Sequence, residues 1–203
     1  MNYGDYKAAR DAAWRILIRF KVSKIPVRIS DGIKEMGISL APYSKSEGFL
    51  TELGLSALLQ ETDGLSVHIQ EKYYIFYRGD MTPGRIRFTV AHELGHIVLG
   101  HLENQTHTTR NHEPQEGDAP IEQMANVFAS RLLAPACVLY ELNATTPERI
   151  AELCDISLAA ARFRAERMDL LKKRGAFGTS PLEREVQKQF RDFIKSQHPY
   201  PGR

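Results

Sequence analysis

Two histidines and a glutamate in RFTVAHELGHIVLGH, residues 87–101, have the types and spacing of a metal-dependent hydrolytic site. His92 and His96 are four residues apart, so on a helix they share one face and can direct two ring nitrogens to one point. Glu93 is offset by about 100° from His92. From there a carboxylate can take a proton from a water molecule that the metal activates. The spacing predicts His92 and His96 as metal ligands and Glu93 as the catalytic base.

A catalytic zinc site needs a third protein ligand and one open position. The downstream candidates are His101, His107, His112, Glu113, Glu116 and Glu122. His101 is expected to point elsewhere, because five residues along a helix correspond to a rotation of about 140°. Glu122 is favoured, because it lies on a predicted helix that can hold a ligand rigidly, whereas the remaining candidates lie in a polar segment. Asn126 follows Glu122 at i+4 and could hydrogen-bond a liganding histidine.

The elements that must position these residues indicate an α+β fold, mostly helical with a small three-stranded sheet. Thr82 and Pro83 are typical of the start of the helix that carries the two histidines. A second helix begins near Asp118 and ends at Pro135, and residues 103–119 between the two helices are expected to form an exposed loop. The three strands are expected in GISLAPYS, residues 37–44, and at 65–70 and 73–78, the last two as a hairpin. Residues 45–64 receive no assignment.

The chain is expected to divide into three parts. Residues 1–143 form the catalytic domain, residues 144–174 a helical pair packed on it, and residues 175–203 a polar tail with one helix. The helical pair has the outline of a helix-turn-helix. Acidic residues dilute its arginines, so a packing or partner-binding role is favoured over DNA binding.

Composition limits the classes of partner. The chain has 203 residues, of which 42% are hydrophobic, so it can bury a substantial core. Its net charge of +2 comes from interspersed basic and acidic residues, which gives little support to nucleic-acid binding. No apolar run is long enough to span a bilayer, and no membrane association is expected. Two cysteines offer no disulfide framework, so the cytoplasm is the expected location.

Two independent motifs resemble those of the ImmA/IrrE family of metallopeptidases. One is RFTVAHELGH and the other is IEQMANVFASRLLAP, residues 121–135. The resemblance covers about residues 5–170 and implies a zincin-like H-E-x-x-H helix with a gluzincin-like site. It makes His92, His96 and Glu122 the metal ligands and Glu93 the base, in agreement with the spacing. The implied metal is Zn²⁺, and Mn²⁺ or Fe²⁺ also suit two imidazoles and a carboxylate.

Members of this family typically cleave a helix-turn-helix repressor encoded beside them, in mobile elements, stress responses or toxin–antitoxin pairs. The resemblance therefore implies a metallo-endopeptidase with a repressor as substrate. The alternative is a regulatory module that docks a repressor or DNA without cleavage. One of Tyr73, Tyr74 and Tyr77 on the predicted strand YYIFYR, with Tyr77 as the named candidate, could donate to the oxyanion of a tetrahedral intermediate, although packing is the commoner role of such residues. The same strand is expected to bind an extended peptide as an added strand.

Overall fold

The computed structural model describes residues 2–103, 107–110 and 119–197, and these residues form mostly helices with one small mixed sheet. The predicted fold class is confirmed. The helices are α1 (Tyr3–Arg19), α2 (Ser30–Glu35), α3 (Glu47–Glu52), α4 (Leu58–Glu61), α5 (Pro83–Val98), α6 (Pro120–Leu133), α7 (Ala136–Glu141), α8 (Pro147–Cys154), α9 (Leu158–Lys173) and α10 (Pro181–Gln197). The strands are β1 (Ser39–Pro42), β2 (Gly64–Ile69), β3 (Lys72–Tyr77) and β4 (His107–Arg110).

The chain folds as two compact units. The first comprises residues 1–9 and 29–129, and the second comprises residues 10–28 and 130–203. The sheet, α5 and the part of α6 that carries Glu122 all belong to the first unit. Every residue of the candidate site therefore lies within one compact unit.

The sheet has the strand order β1-β3-β2-β4 in the described residues. β2 and β3 form the predicted antiparallel hairpin, β1 lies parallel to β3, and β4 lies antiparallel to β2. β4 falls in the segment predicted as a loop. Its polar composition favoured a loop, but the two β-branched threonines of HTTR suit a strand that pairs with β2.

The position of β3 corrects the expected mode of peptide binding. β3 contains YYIFYR except for its final arginine, and it lies between β1 and β2. Its backbone groups pair with strands on both sides, so no further strand can add there. Extended peptides can add only at the outer edges of this sheet.

The two faces of the sheet bury different partners. On one face Leu65, Val67 and Phe76 pack with Tyr43 and Leu50 in a hydrophobic cluster. Because side chains alternate along a strand, Gly64 and Ser66 point to the opposite face, which packs against α5. The sheet thereby supports the central turns of the helix that carries both histidines.

Helix α5 begins as the sequence predicts. Thr82 has an extended backbone and its hydroxyl accepts a hydrogen bond from the amide of Arg85, with Pro83 at the first helical position. Val90, Ala91 and Leu94 are buried on its apolar side. The start of the helix is thus fixed by local sequence, and burial of its apolar side fixes its rotation about its own axis.

The second unit is a helical assembly. The predicted helical pair is present as α8 and α9, with Asp155 between them in the left-handed region at φ +50°. α10 is the one helix predicted within residues 175–203, whereas α7 was not predicted. The core of the second unit includes Ile150, Cys154, Ala161, Met168, Val186 and Phe190.

Cys137 and Cys154 are buried thiols. No helix within the described ranges combines the length and apolar character needed to cross a bilayer.

Candidate metal centre

Three side chains from two helices converge at one point in the first unit. His92 and His96 lie one turn apart on α5, and their Nε2 atoms are 3.0 Å from each other. Glu122 lies in the first turn of α6. Its Oε2 is 3.2 Å from Nε2 of His92, and its Oε1 is 3.3 Å from Nε2 of His96. The structure thus brings together the three residues that the sequence predicts as ligands.

Asn126 fixes the orientation and tautomer of His92. Nδ1 of His92 is 2.9 Å from Oδ1 of Asn126. An amide oxygen only accepts hydrogen bonds, so Nδ1 of His92 carries the hydrogen and donates it. Nε2 then has a lone pair that faces His96 and Glu122. This is the contact expected of Asn126, one turn after Glu122 on α6.

His101 contacts His96 at the ring nitrogen that does not face His92 and Glu122, which corrects the expectation that it points elsewhere. Its Nδ1 lies 2.9 Å from Nδ1 of His96, and the two rings meet edge to face. The helical rotation of about 140° does not apply, because α5 ends at Val98. Burial lowers the pKa of His101 to about 4, so this ring is neutral at neutral pH.

The donor set suits a divalent transition metal ion. Two imidazole nitrogens and a carboxylate are the ligands of many catalytic zinc sites. Ligands about 2.0–2.1 Å from a tetrahedral ion are about 3.3 Å apart, close to the three distances above. With hydrogen on Nδ1 of both rings, the two Nε2 lone pairs would face each other at 3.0 Å, and a cation between them removes that repulsion. His92, His96 and Glu122 therefore fit the metal that the H-E-x-x-H pattern implies.

Glu122 is the anionic and solvent-facing member of the cluster. Burial by itself raises the pKa of Glu122, but the neighbouring imidazole rings of His92 and His96 outweigh it and hold this pKa well below its usual range. The Glu122 side chain is 28% exposed, whereas His92 and His96 are buried. Within the cluster, Glu122 is therefore the residue most accessible to solvent.

Glu93 lies outside the cluster and faces the sheet. Its carboxylate is buried, and Oε2 accepts a hydrogen bond of 2.6 Å from the hydroxyl of Ser66 on β2. A Cβ atom built on Gly64 would lie 2.3 Å from Cγ2 of Thr89 and 3.2 Å from Oε1 of Glu93. Ser66 therefore holds the carboxylate, and the glycine lets the strand approach the helix closely enough for that contact.

Gly95 lets the two ligand-bearing helices pack closely. A Cβ atom at Gly95 would lie 3.0 Å from Cδ1 of Phe128 and 3.3 Å from Cα of Ala125, both on α6. A glycine within a helix is either needed for close packing or merely tolerated at a cost in stability. The contacts favour need, because one neighbour is backbone and cannot rotate away.

The residues around Tyr77 are different from those of the metal-binding cluster. Tyr77 lines a surface depression of about 770 Å³ with Pro42, Tyr43 and Ile86, and neither histidine of the cluster nor Glu122 is part of that lining. A role as oxyanion donor stays a prediction. Of the other candidates for third ligand, His112, Glu113 and Glu116 lie outside the described residues, as does the side chain of His107.

Sequence reasoning missed Ser66 and assigned no role to His101. A serine in a predicted strand 27 positions before Glu93 gives no local sign of contact. For His101 the sequence did contain an indication, because Gly100 directly precedes it and glycine is typical of the end of a helix. After such a helix end the chain reverses, and the next residue lies back over the last turn.

An H-E-x-x-H helix whose histidines converge with a glutamate from a second helix is the arrangement of a metallopeptidase. Residues 52–166, more than half of the chain, match the family model described as the IrrE N-terminal-like domain of peptidase family M78. The chain belongs to the ImmA/IrrE family of metallopeptidases. One curated relative is the radiation response metalloprotease IrrE of Deinococcus deserti, which is 33% identical over 102 residues. That match covers 46% of this chain and 36% of the relative, so the matched part spans about a third of the relative's length.

Proposed function

We propose that this chain is a zinc-dependent endopeptidase that cleaves a partner protein, with a helix-turn-helix transcriptional repressor as its substrate. The observation that carries the proposal is the convergence of His92, His96 and Glu122, together with Glu93, which follows His92 in the sequence and whose carboxylate is held by Ser66. A purely structural metal site needs four closed ligand positions and no further carboxylate. The cluster found in the described residues has three members and leaves one position open.

His92, His96 and Glu122 would hold the ion, which we propose is Zn²⁺, and Mn²⁺ or Fe²⁺ would suit the same donors. When bound, such an ion acidifies water and polarises the scissile carbonyl. Glu93 accepts the proton of the attacking water and passes it to the leaving amine. The hydrogen bond from Ser66 holds one oxygen of Glu93, which keeps the carboxylate in a single orientation. Asn126 keeps His92 in the tautomer that ligation requires.

The substrate is proposed to bind in an extended conformation at an edge of the sheet. β4 is paired directly with β2, the strand that carries Ser66, so its outer edge is nearer to Glu93 than that of β1, which is two strands away from β2. A peptide added there would form main-chain hydrogen bonds on both sides of the scissile bond. Intact helices cannot bind in this way. The target bond is therefore proposed to lie in a linker or an unfolded segment of the repressor.

The family also supports the proposed setting of the reaction. A repressor encoded by a neighbouring gene is the proposed substrate, and the cytoplasm is the proposed location. The division into a catalytic domain of residues 1–143, a helical pair at 144–174 and a tail at 175–203 stays a prediction, as does the oxyanion role of Tyr77.

The test is cleavage of the repressor encoded beside this gene. The purified chain loaded with zinc is mixed with that repressor, and fragments are identified by mass spectrometry. Discrete fragments are expected with the wild type. None are expected with Glu93→Gln, because an amide cannot accept the proton.

Two outcomes would contradict the proposal. A stable complex without fragments would indicate a docking module. Degradation of casein at a rate comparable to that of the repressor would contradict a dedicated repressor-cleaving role.

A further inference from the structure

The end of helix α5 has a defined geometry that reaches the candidate metal centre. Gly100 has φ +74°, a left-handed conformation that favours glycine. The amide of His101 donates to the carbonyl of His96 at 2.9 Å, and the amide of Gly100 donates to that of Ile97 at 3.1 Å. These two bonds form a Schellman motif, in which the chain reverses over the last turn of the helix.

The motif pairs two particular residues. In a Schellman motif the second residue after the cap lies against the third residue from the helix end, and the contact is commonly hydrophobic. Here those residues are His101 and His96. Their rings meet edge to face, with centroids 5.0 Å apart and the two Nδ1 atoms 2.9 Å apart. One of these two nitrogens must carry the hydrogen that joins them.

We propose that His101 is a positioning residue for the metal site. Nδ1 of His101 accepts the hydrogen bond from Nδ1–H of His96, so Nε2 of His96 has a lone pair that is directed at the ion. This inference rests on the proposed metal-binding function. If the hydrogen were on His101 instead, Nε2 of His96 would carry a proton and could not bind a metal. The direction of this one hydrogen bond therefore decides whether His96 can be a ligand.

The arrangement makes the two liganding histidines equivalent. His92 donates its Nδ1–H to Oδ1 of Asn126, from α6, and His96 donates to Nδ1 of His101, from the end of α5 itself. Partners of this kind fix the ring orientation and raise the basicity of a liganding imidazole. Both rings are held at the nitrogen remote from the cluster, and both direct Nε2 toward Glu122.

Two substitutions separate the hydrogen bond from the packing of the ring. His101→Phe keeps an aromatic ring against His96 and keeps water away from Nδ1, but it removes the acceptor. His101→Asn places Oδ1 the same number of bonds from Cα as Nδ1 of histidine, so it restores an acceptor. The measurement is Zn²⁺ affinity by competition with a chromophoric chelator, and thermal unfolding with the metal removed shows whether each variant is folded.

We expect His101→Phe to lower the affinity for Zn²⁺ by about 10- to 100-fold, the effect usual for partners of liganding histidines. His101→Asn should keep an affinity close to wild type. Asn126→Leu, which removes the acceptor of His92, should resemble His101→Phe. Unchanged affinity in a folded His101→Phe variant would overturn the inference, whereas a wild type that binds no Zn²⁺ would overturn the proposed function itself.

A second measurement needs no variant. Nitrogen-15 spectra of the zinc-loaded wild type report which ring nitrogen of each histidine carries hydrogen. A hydrogen on Nδ1 of His96 is expected, with its resonance shifted by the bond to His101. A hydrogen on Nδ1 of His101 directed at an unprotonated Nδ1 of His96 would overturn the inference even if His101→Phe fails to fold.

Discussion

The hydroxyl of Ser66 donates a 2.6 Å hydrogen bond to the carboxylate of Glu93, and both side chains are fully buried. Ser66 lies on strand β2 and Glu93 on helix α5. The bond therefore joins the sheet to the proposed catalytic base, and Glu93 directly follows His92 of the candidate metal centre in the sequence.

Ser66→Ala should lower both stability and turnover. A hydrogen bond to a charged group contributes about 1.5–3 kcal/mol, whereas one between neutral groups contributes about 0.5–1.5 kcal/mol. We therefore expect Ser66→Ala to cost about 1.5–3 kcal/mol of unfolding free energy in the wild type and about 0.5–1.5 kcal/mol in a chain that already carries Glu93→Gln. Both losses are measured by urea unfolding of the metal-free chain. Equal losses in the two backgrounds would mean that Ser66 does not act through the carboxylate. kcat should fall by about tenfold or more, since about 1.4 kcal/mol corresponds to tenfold.

Gly64→Ala should destabilise the first unit. The added Cβ would lie 2.3 Å from Cγ2 of Thr89, so strand and helix must separate. Overpacking of this kind costs about 1–3 kcal/mol, read as a loss of unfolding free energy. Gly48→Ala is the matched control, because a Cβ atom at Gly48 would have no neighbouring atom within 4 Å and would lie at an exposed position of α3. That variant should be neutral or stabilised by about 1 kcal/mol at most. Equal behaviour of the two variants would refute the proposed close approach.

Gly95→Ala should weaken metal binding. Its Cβ would lie 3.0 Å from Cδ1 of Phe128 and 3.3 Å from Cα of Ala125, so α6, which carries Glu122, must give by a few tenths of an ångström. Site residues need to be held to within about 0.5 Å. We expect a loss of Zn²⁺ affinity of about tenfold, in the range of other supporting positions, measured by chelator competition with Gly48→Ala as the control. Wild-type affinity in the Gly95 variant would show that α5 and α6 tolerate the added atom.

Some of the contacts in the candidate site could be predicted from the sequence, and others could not. Thr82 and Pro83 set the start of α5 through contacts within one turn, and the i, i+4 spacing of His92 and His96 follows from the same helix. Glu122 and Asn126 share a face of α6 for the same reason. Local chemistry thus predicts which side chains can converge.

What sequence reasoning missed depends on where elements end and which strands pair. His101 was expected to point elsewhere, because helical geometry was extended past Gly100, where the chain reverses. β3 was expected to accept a peptide, but pairing with β1 across more than 30 residues places it inside the sheet. Ser66 reaches Glu93 through the same long-range packing. Of these contacts, only that between His101 and His96 has a local sequence signature, which is Gly100.

Stability of the second unit should depend on the ionisation of Glu183. This residue is 3% exposed, and burial raises the pKa of its carboxyl, although backbone amides of residues 178–180 oppose the shift. The folded chain therefore keeps a proton that the unfolded chain loses, so unfolding free energy should fall as the pH rises above about 4.5.

Glu183→Gln should remove that contribution to the fall, as measured by urea unfolding at a series of pH values. Glu185→Gln, at an exposed position of the same helix, is the control and should keep the wild-type dependence. A Glu183→Gln variant with the same pH dependence as wild type would contradict the prediction.

The central claim is that His92, His96 and Glu122 hold one metal ion while Glu93 acts as the base and does not bind the ion. Metal analysis of the wild type, Glu122→Ala and Glu93→Gln, each loaded with excess Zn²⁺ and then desalted, tests this most directly. One ion per chain is predicted for the wild type and for Glu93→Gln, and a large loss is predicted for Glu122→Ala, because two imidazoles alone bind zinc weakly. Unchanged stoichiometry in Glu122→Ala would remove Glu122 from the site, and loss of metal in Glu93→Gln would make Glu93 a ligand instead of a base.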